Sequence, residues 1–555
     1  MKRAGVAVLF ALLAGCRMPG EKVEFSKISE DFVYGSLALS PVSATAAGYH
    51  QHRGVTLDTK LDDFSQVGIA EQRLFYRDFD NQLQGIQADS LDAEDRADFD
   101  IIRDQVRLAM LDLFKIQSFR HNPAIYVELI GNALFTPFVL EYAPKPERYR
   151  QIIKRLAAVP ILLEQARENL QDSPEVWNRV AREENAGNIE LIGKTMRAGM
   201  PAELQADYET AAKPALAALD KFNKWLANDL SKRTTSWRLG QANYEAKFKY
   251  SLGTGKLPAE ILLQAEAALR DTRDQMAKIA KPSTVEEALN RIALKHATPE
   301  TYLDQARRDL EQATAFVKSK RLMTVPGGAN LRVIPTPEFM RGGYGVGGFN
   351  PPPALEPQLG AFYWITPIDP AWPPDRVESK LREYNTYGLQ QLTVHEAMPG
   401  HYLQAEYANR VEPKGRRVLR AIYGNVPYVE GWGVYAQQLM TDQGYPDQSP
   451  DARLTYLKQM LRVISNAILD IRLHTMDMSE QDAMALMVEQ TYQEKEEARA
   501  KLQRAQLSAC QLPTYFVGWQ GWLHARAGRK DLASFHEKAL KEGAVPLPAL
   551  ERLLR

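Results

Sequence analysis

Two histidines and two glutamates carry the chemistry this sequence offers. Histidine is scarce, nine in 555 residues, yet two of them fall within seven positions of Thr393-Val394-His395-Glu396-Ala397-Met398-Pro399-Gly400-His401. A glutamate directly after one histidine, with a second histidine downstream, lets a helix offer two neutral imidazoles to Zn²⁺ and set a carboxylate beside the water the ion activates. The usual spacing is four, because residues i and i+4 share a helical face. Here it is six, and six steps of about 100° leave the imidazoles about 120° apart on a straight helix. Pro399 and Gly400 change that geometry. Proline has no N–H for the His395 carbonyl and its ring clashes with it, while glycine admits unusual backbone angles. A kink there turns His401 back towards His395. Without it, the pair reads as two structural histidines beside a helix break.

A second segment adds an acid. In Tyr428-Val429-Glu430-Gly431-Trp432-Gly433-Val434-Tyr435-Ala436, Glu430 is alone in an apolar, aromatic stretch, 29 residues after His401. A carboxylate in such surroundings is costly unless a partner or a metal neutralises it. Two histidines and one glutamate would hold a single Zn²⁺ and leave a position open for water, as hydrolytic sites require. The plainer reading of Glu430 is an acid at a helix start.

Together, His395-Glu396-x-x-Pro399-Gly400-His401 and Glu430-Gly431-Trp432 resemble the DUF885 family of bacterial proteins. The resemblance extends to Asp470-x-x-Leu473-His474 and to Arg504, Gln511, Tyr515 and Gly518 at matching offsets, and spans roughly Pro326 to Arg526. It departs at Tyr402, where many relatives carry another histidine, at Ala505 in place of a tyrosine, and at Ala509-Cys510 in place of Pro-Gly. The resemblance implies a predominantly helical, zinc-metallopeptidase-like protein with a glutamate as third ligand. Glu396 would then be the general base. Tyr515 and His474 are candidate donors to the oxyanion of a tetrahedral intermediate, as a phenol or imidazole can donate without binding the metal. Arg472 or Arg504 would hold a substrate carboxylate or shape the cleft. The expected activity is zinc-dependent cleavage of oligopeptides. The alternatives are a catalytically silent binding or assembly lipoprotein on the same fold, and a metal hydrolase acting on a non-peptide amide or ester.

The elements expected to position these residues are mainly helices: a large helical body with a deep cleft and a small β-sheet near residues 330–367. Ile261, Leu262, Ala265, Ala268 and Leu269 recur at helical steps after Pro258, and Leu303, Ala306, Leu310, Ala313 and Val317 do so after a Thr298-Pro299 start. Residues 182–199, with mixed charges, read as a linker or an exposed helix. Gly360 to Thr366, apolar, aromatic and bounded by Pro367, reads as a strand. The glycine run from Gly342 to Gly348 lacks the Gly-Lys-Ser/Thr ending of a phosphate loop, so it reads as a loop or strand pair whose backbone comes close to something. With Gly360 to Thr366 it could present a strand edge to an extended peptide. The division expected is a helical lobe over residues 31–325 and a catalytic lobe over residues 326–555.

The first residues point to the envelope. Met1-Lys2-Arg3, an apolar segment from Ala4 to Gly15, and Leu13-Ala14-Gly15-Cys16 form a signal-peptide pattern ending in what resembles a bacterial lipobox. Residues 1–15 would be removed, Cys16 lipidated, and residues 16–30 would serve as a linker from the membrane. With Arg17 rather than aspartate after the cysteine, the expected place is the outer membrane, facing the periplasm. Lys plus Arg and Asp plus Glu are equal at 69, so a general affinity for nucleic acid is not expected. Two cysteines exclude a disulfide framework. A mean hydropathy of −0.37 excludes a polytopic membrane protein.

Overall fold

The computed structural model describes residues 25–327, 331–336, 341, 346–369 and 371–555. The leader, the lipidation site at Cys16 and residues 342–345 of the glycine run lie outside the described residues. The architecture is mainly α, 71% helical, with a small sheet. Among the described residues no helix is long and apolar enough to cross a membrane.

Local signals account for the helix starts. Pro258 opens the helix Pro258–Ala280, where Glu260 accepts the Leu257 N–H at 2.7 Å. Thr284 and Glu287 cap Val285–Ala293 reciprocally. The stripe residues Ile261, Leu262, Ala265 and Leu269 are buried, as are Ala306, Ala313 and Val317. The Thr298-Pro299 start is displaced: the helix begins at Tyr302, because the Thr298 N–H is taken by the Thr301 hydroxyl in a turn before it. Residues 182–199 are no linker. They continue the helix Glu175–Glu190 and bury Asn185, Asn188, Leu191 and Ile192.

The expected division at residue 325 does not follow the packing. Helix Phe25–Leu39 contributes Phe25, Phe32 and Leu37 to the same core as Trp432, Trp522 and Leu550. Residues 244–292 share a second core with the long helix Pro450–Thr475. The body also begins inside the expected linker, since Phe25 and Ile28 are buried.

The sheet sits between helical layers. Strand Ala361–Ile365 is central, parallel to Leu331–Pro335 and antiparallel to Gly347–Asn350. All five of its residues are buried. Ala361, Tyr363 and Ile365 enter one core, whereas Phe362 and Trp364 enter the core of residues 124–230, the period-two alternation of a strand. Gly347–Asn350 is an edge strand. Its alternate residues turn their backbone groups away from the sheet, towards the functional residues.

An aromatic cluster braces those residues from behind. Trp432 lies 4.9 Å from Trp522 and 5.7 Å from His536, ring centre to ring centre. His536 Nε2 is 2.8 Å from the Tyr435 hydroxyl and its Nδ1 is 3.3 Å from the Leu322 carbonyl. Burial pushes the His536 imidazole down from 6.5 to about 4, so it is neutral when folded, while an unfolded chain takes up the proton near 6.5. The stability it contributes is therefore complete above pH 6.5 and lost as pH falls through about 4. The shift is worth about 3 kcal/mol. In chemical denaturation the midpoint of the wild type should fall across this window, and that of His536→Gln should fall less.

Candidate metal centre

His395 lies in the last turn of the helix Thr386–Glu396, which Asn385 caps by accepting the Gly388 N–H at 3.2 Å. The helix stops there because Pro399 offers no N–H to the His395 carbonyl. A new helix, His401–Ala408, starts after Gly400. The chain folds so tightly at this break that a Cβ on Gly400 would lie 1.9 Å from the His395 carbonyl oxygen. Only glycine fits. The result is the kink expected from the sequence: the two imidazoles stand 4.6 Å apart between centres, at 81° to each other.

Glu430 comes from the helix Val426–Asp442, capped by Asn425, which accepts the Tyr428 N–H at 3.0 Å. Its Oε2 is 3.4 Å from His395 Nε2 and 3.5 Å from His401 Nε2. These separations are long for a good N–H···O bond. They match the distance of about 3.3 Å between two ligands that each sit about 2.0–2.1 Å from a tetrahedral ion. One ligand atom from each residue lies within 4.8 Å of the others. Two imidazole nitrogens and one carboxylate oxygen are also a donor set suited to Zn²⁺. The residues fit the ion the sequence suggests.

Their surroundings support the arrangement. Burial pushes the Glu430 carboxyl up, but His395 and His401 outweigh it and hold it well below the usual carboxylate range. Burial pulls the His401 imidazole down, and Glu430 more than reverses that. Gln404, three residues further along the same helix, adds a smaller hydrogen-bond contribution in the same direction. His395 lies flat on the Gly433 backbone, where a Cβ would be 2.6 Å from its ring atoms. Trp432 explains why the two motifs belong together. Its indole N–H donates to the Pro399 carbonyl at 2.9 Å and approaches the Gly400 carbonyl at 3.3 Å, pinning the helix break.

Glu396 stands beside the three ligands, and its Oε2 accepts the Phe349 N–H at 2.9 Å. The glycine-rich stretch thus does approach something: its edge strand orients this carboxylate. Tyr515 faces the site from the helix Pro513–Arg526, its ring 6.2 Å from that of His395. Burial first, then the Glu430 charge, pushes its phenol up to about 12, so it keeps its proton at neutral pH. Arg504 donates to the Tyr515 oxygen at 3.0 Å, which leaves the phenol's own hydrogen to point elsewhere. All these groups line one cavity of about 1140 Å³.

Two expected site residues are not brought to this cavity. His474 is buried in the second core, with Nε2 3.1 Å from the carbonyls of both Ala505 and Ser508 and its ring stacked on Tyr244. A donor committed to two carbonyls is not aimed at an oxyanion. Asp470, one turn earlier, accepts from the Tyr244 hydroxyl at 2.6 Å and the Cys510 N–H at 2.9 Å. The pair secures the turn that connects Arg504 to Tyr515. Arg472 points outward to Glu266, 2.7 Å away. The structure adds three groups that sequence reasoning did not single out, the Phe349 N–H, Arg462 and Lys501. Lys501 had a visible signal, its position three residues from Arg504 on one helical face.

The family model described as bacterial protein of unknown function (DUF885) matches residues 41–554. The chain belongs to this family. The match takes in the helical N-terminal half, beyond the stretch that carries the motifs. Among solved structures, a candidate lipoprotein of unknown function from Shewanella oneidensis superposes with a TM-score of 0.79 at 26% identity, covering 96% of this chain and 100% of that one. A candidate lipoprotein from Colwellia psychrerythraea superposes at 0.78 with 19% identity, covering 96% and 98%. No curated protein matches the chain.

Proposed function

We propose that this DUF885 protein is a zinc-dependent peptidase anchored in the bacterial envelope. The observation that carries the reading is the convergence of His395, His401 and Glu430 at ligand separations, with Glu396 oriented beside them by the Phe349 N–H. These three side chains would hold the ion, which when bound supplies a Lewis acid and lowers the pKa of a water towards neutrality. Glu396 takes a proton from the attacking water and passes it to the amine that leaves as the C–N bond breaks. Tyr515, protonated and tethered by Arg504, donates to the oxyanion that forms on the scissile carbonyl. The outward-turned backbone groups of Gly347–Asn350 pair with the extended substrate. Digestion of a peptide library by zinc-loaded protein tests the reading; a fully uncut library would remove it.

The lipobox-like Leu13-Ala14-Gly15-Cys16 and the two lipoprotein-like neighbours support anchoring through Cys16, at the outer membrane facing the periplasm. Palmitate should label the wild type and not Cys16→Ala. Equal labelling would place the lipid elsewhere.

A further inference from the structure

One wall of the cavity is short of negative charge. Lys501 and Arg504 lie three residues apart on the helix Lys495–Leu507 and both line the cavity, together with Arg462 from the long helix. Arg462 pairs with Glu383 at 2.7 Å and lies 3.8 Å from Glu497. Lys458 and Lys380 hold those same two acids at 2.8 and 3.0 Å. Three cations therefore share two carboxylates. Among the described residues, no carboxylate lies within ion-pair distance of Lys501 or Arg504. Among the described residues Arg504 donates to neutral partners, Gln511 at 2.9 Å and Tyr515 at 3.0 Å, and the carboxylate charge acting on it is that of Glu430, without a direct ion pair. Burial, then the Arg462 charge, pushes the Lys501 ammonium well below its ordinary range, and the charges of Glu383 and Glu497 only partly oppose this.

Position makes this more than a basic patch. Tyr515 touches both ends: its ring stacks beside His395 and its hydroxyl meets Arg504. An anion held by Arg504 and Lys501 therefore sits just past the phenol that faces the reacting carbonyl. In a peptide, the carboxylate that ends the chain lies one residue, about 3.5 Å of backbone, beyond the last amide.

We propose that Lys501 and Arg504 form a carboxylate subsite that reads the free C-terminus of a peptide, so that hydrolysis removes residues from that end. The proposal rests on the peptidase reading above. An acidic side chain is the other source of the same chemistry, and the test separates the two. The substrates are N-acylated tripeptides ending in alanine acid, alanine amide and glutamate amide, each given to zinc-loaded protein. The alanine acid should be cut tenfold to a hundredfold faster than either amide, on the order of one charge-assisted hydrogen bond. In Lys501→Met that preference should vanish through KM, with kcat held, and Lys501→Arg should restore it. N-acetylalanine should bind metal-free wild type in calorimetry and bind Lys501→Met at least tenfold more weakly. Equal cleavage of acid and amide would overturn the subsite and leave the peptidase standing. Glutamate amide cut as fast as alanine acid would overturn it in favour of a side-chain pocket. No cleavage of any of the three, with or without N-acetylalanine bound, would overturn the claim about C-terminal residues; failure of the peptide library as well would remove the peptidase reading.

Discussion

Glu396→Gln is expected to lower kcat of the zinc-loaded protein by about 10³-fold, the range for loss of a general base. Zinc content and melting temperature should stay at their wild-type values. The reason is geometric. Glu396 is not one of the three converging ligands, and its Oε2 accepts the Phe349 N–H at 2.9 Å. A glutamine carbonyl accepts that bond equally well, so the side chain keeps its place against the edge strand and loses only its ability to take a proton. A mutant as active as the wild type would exclude Glu396 from the reaction. Loss of zinc together with activity would make it a ligand instead.

Gly433→Ala should lower zinc affinity by about a hundredfold, the upper end of the range for disturbing what orients a ligand, while the helix content stays intact. A Cβ at this position would lie 2.6 Å from His395 Cε1 and Nδ1 and 2.9 Å from Nε2. The backbone of a mid-helix residue has little room to yield, so the imidazole must swing away from Glu430. Alanine is otherwise the better helix former, by about 1 kcal/mol, so the helix itself does not suffer. Zinc titration against a competing chelator, with circular dichroism alongside, reads both effects. Unchanged affinity would mean that His395 does not need its present orientation to hold the ion.

The triad was legible because rare residue types fell at informative places: two of nine histidines around a Pro-Gly break, and a lone acid in an aromatic stretch. The reason the break holds its shape was not. No local pattern says that the Trp432 indole reaches the Pro399 carbonyl across 33 positions. His474 shows the converse. Its type suits an oxyanion donor, but the carbonyls of Ala505 and Ser508, more than thirty positions away, already take its proton. Strand Ala361–Ile365 could be read because it is apolar throughout and bounded by Pro367. Its partner Gly347–Asn350 could be read only as one of two alternatives, loop or strand pair, since two glycines carry no strand preference and the pairing is made by residues removed in sequence. The supposed lobes failed for a related reason: helices of the first half complete cores built by the second.

One ion is expected to bind between His395, His401 and Glu430. Anomalous diffraction from crystals grown with zinc, recorded on both sides of the zinc absorption edge, tests it most directly. A single peak bonded to both Nε2 atoms and to a Glu430 oxygen is expected. A map with no peak at that point, or with zinc held only elsewhere, would contradict it.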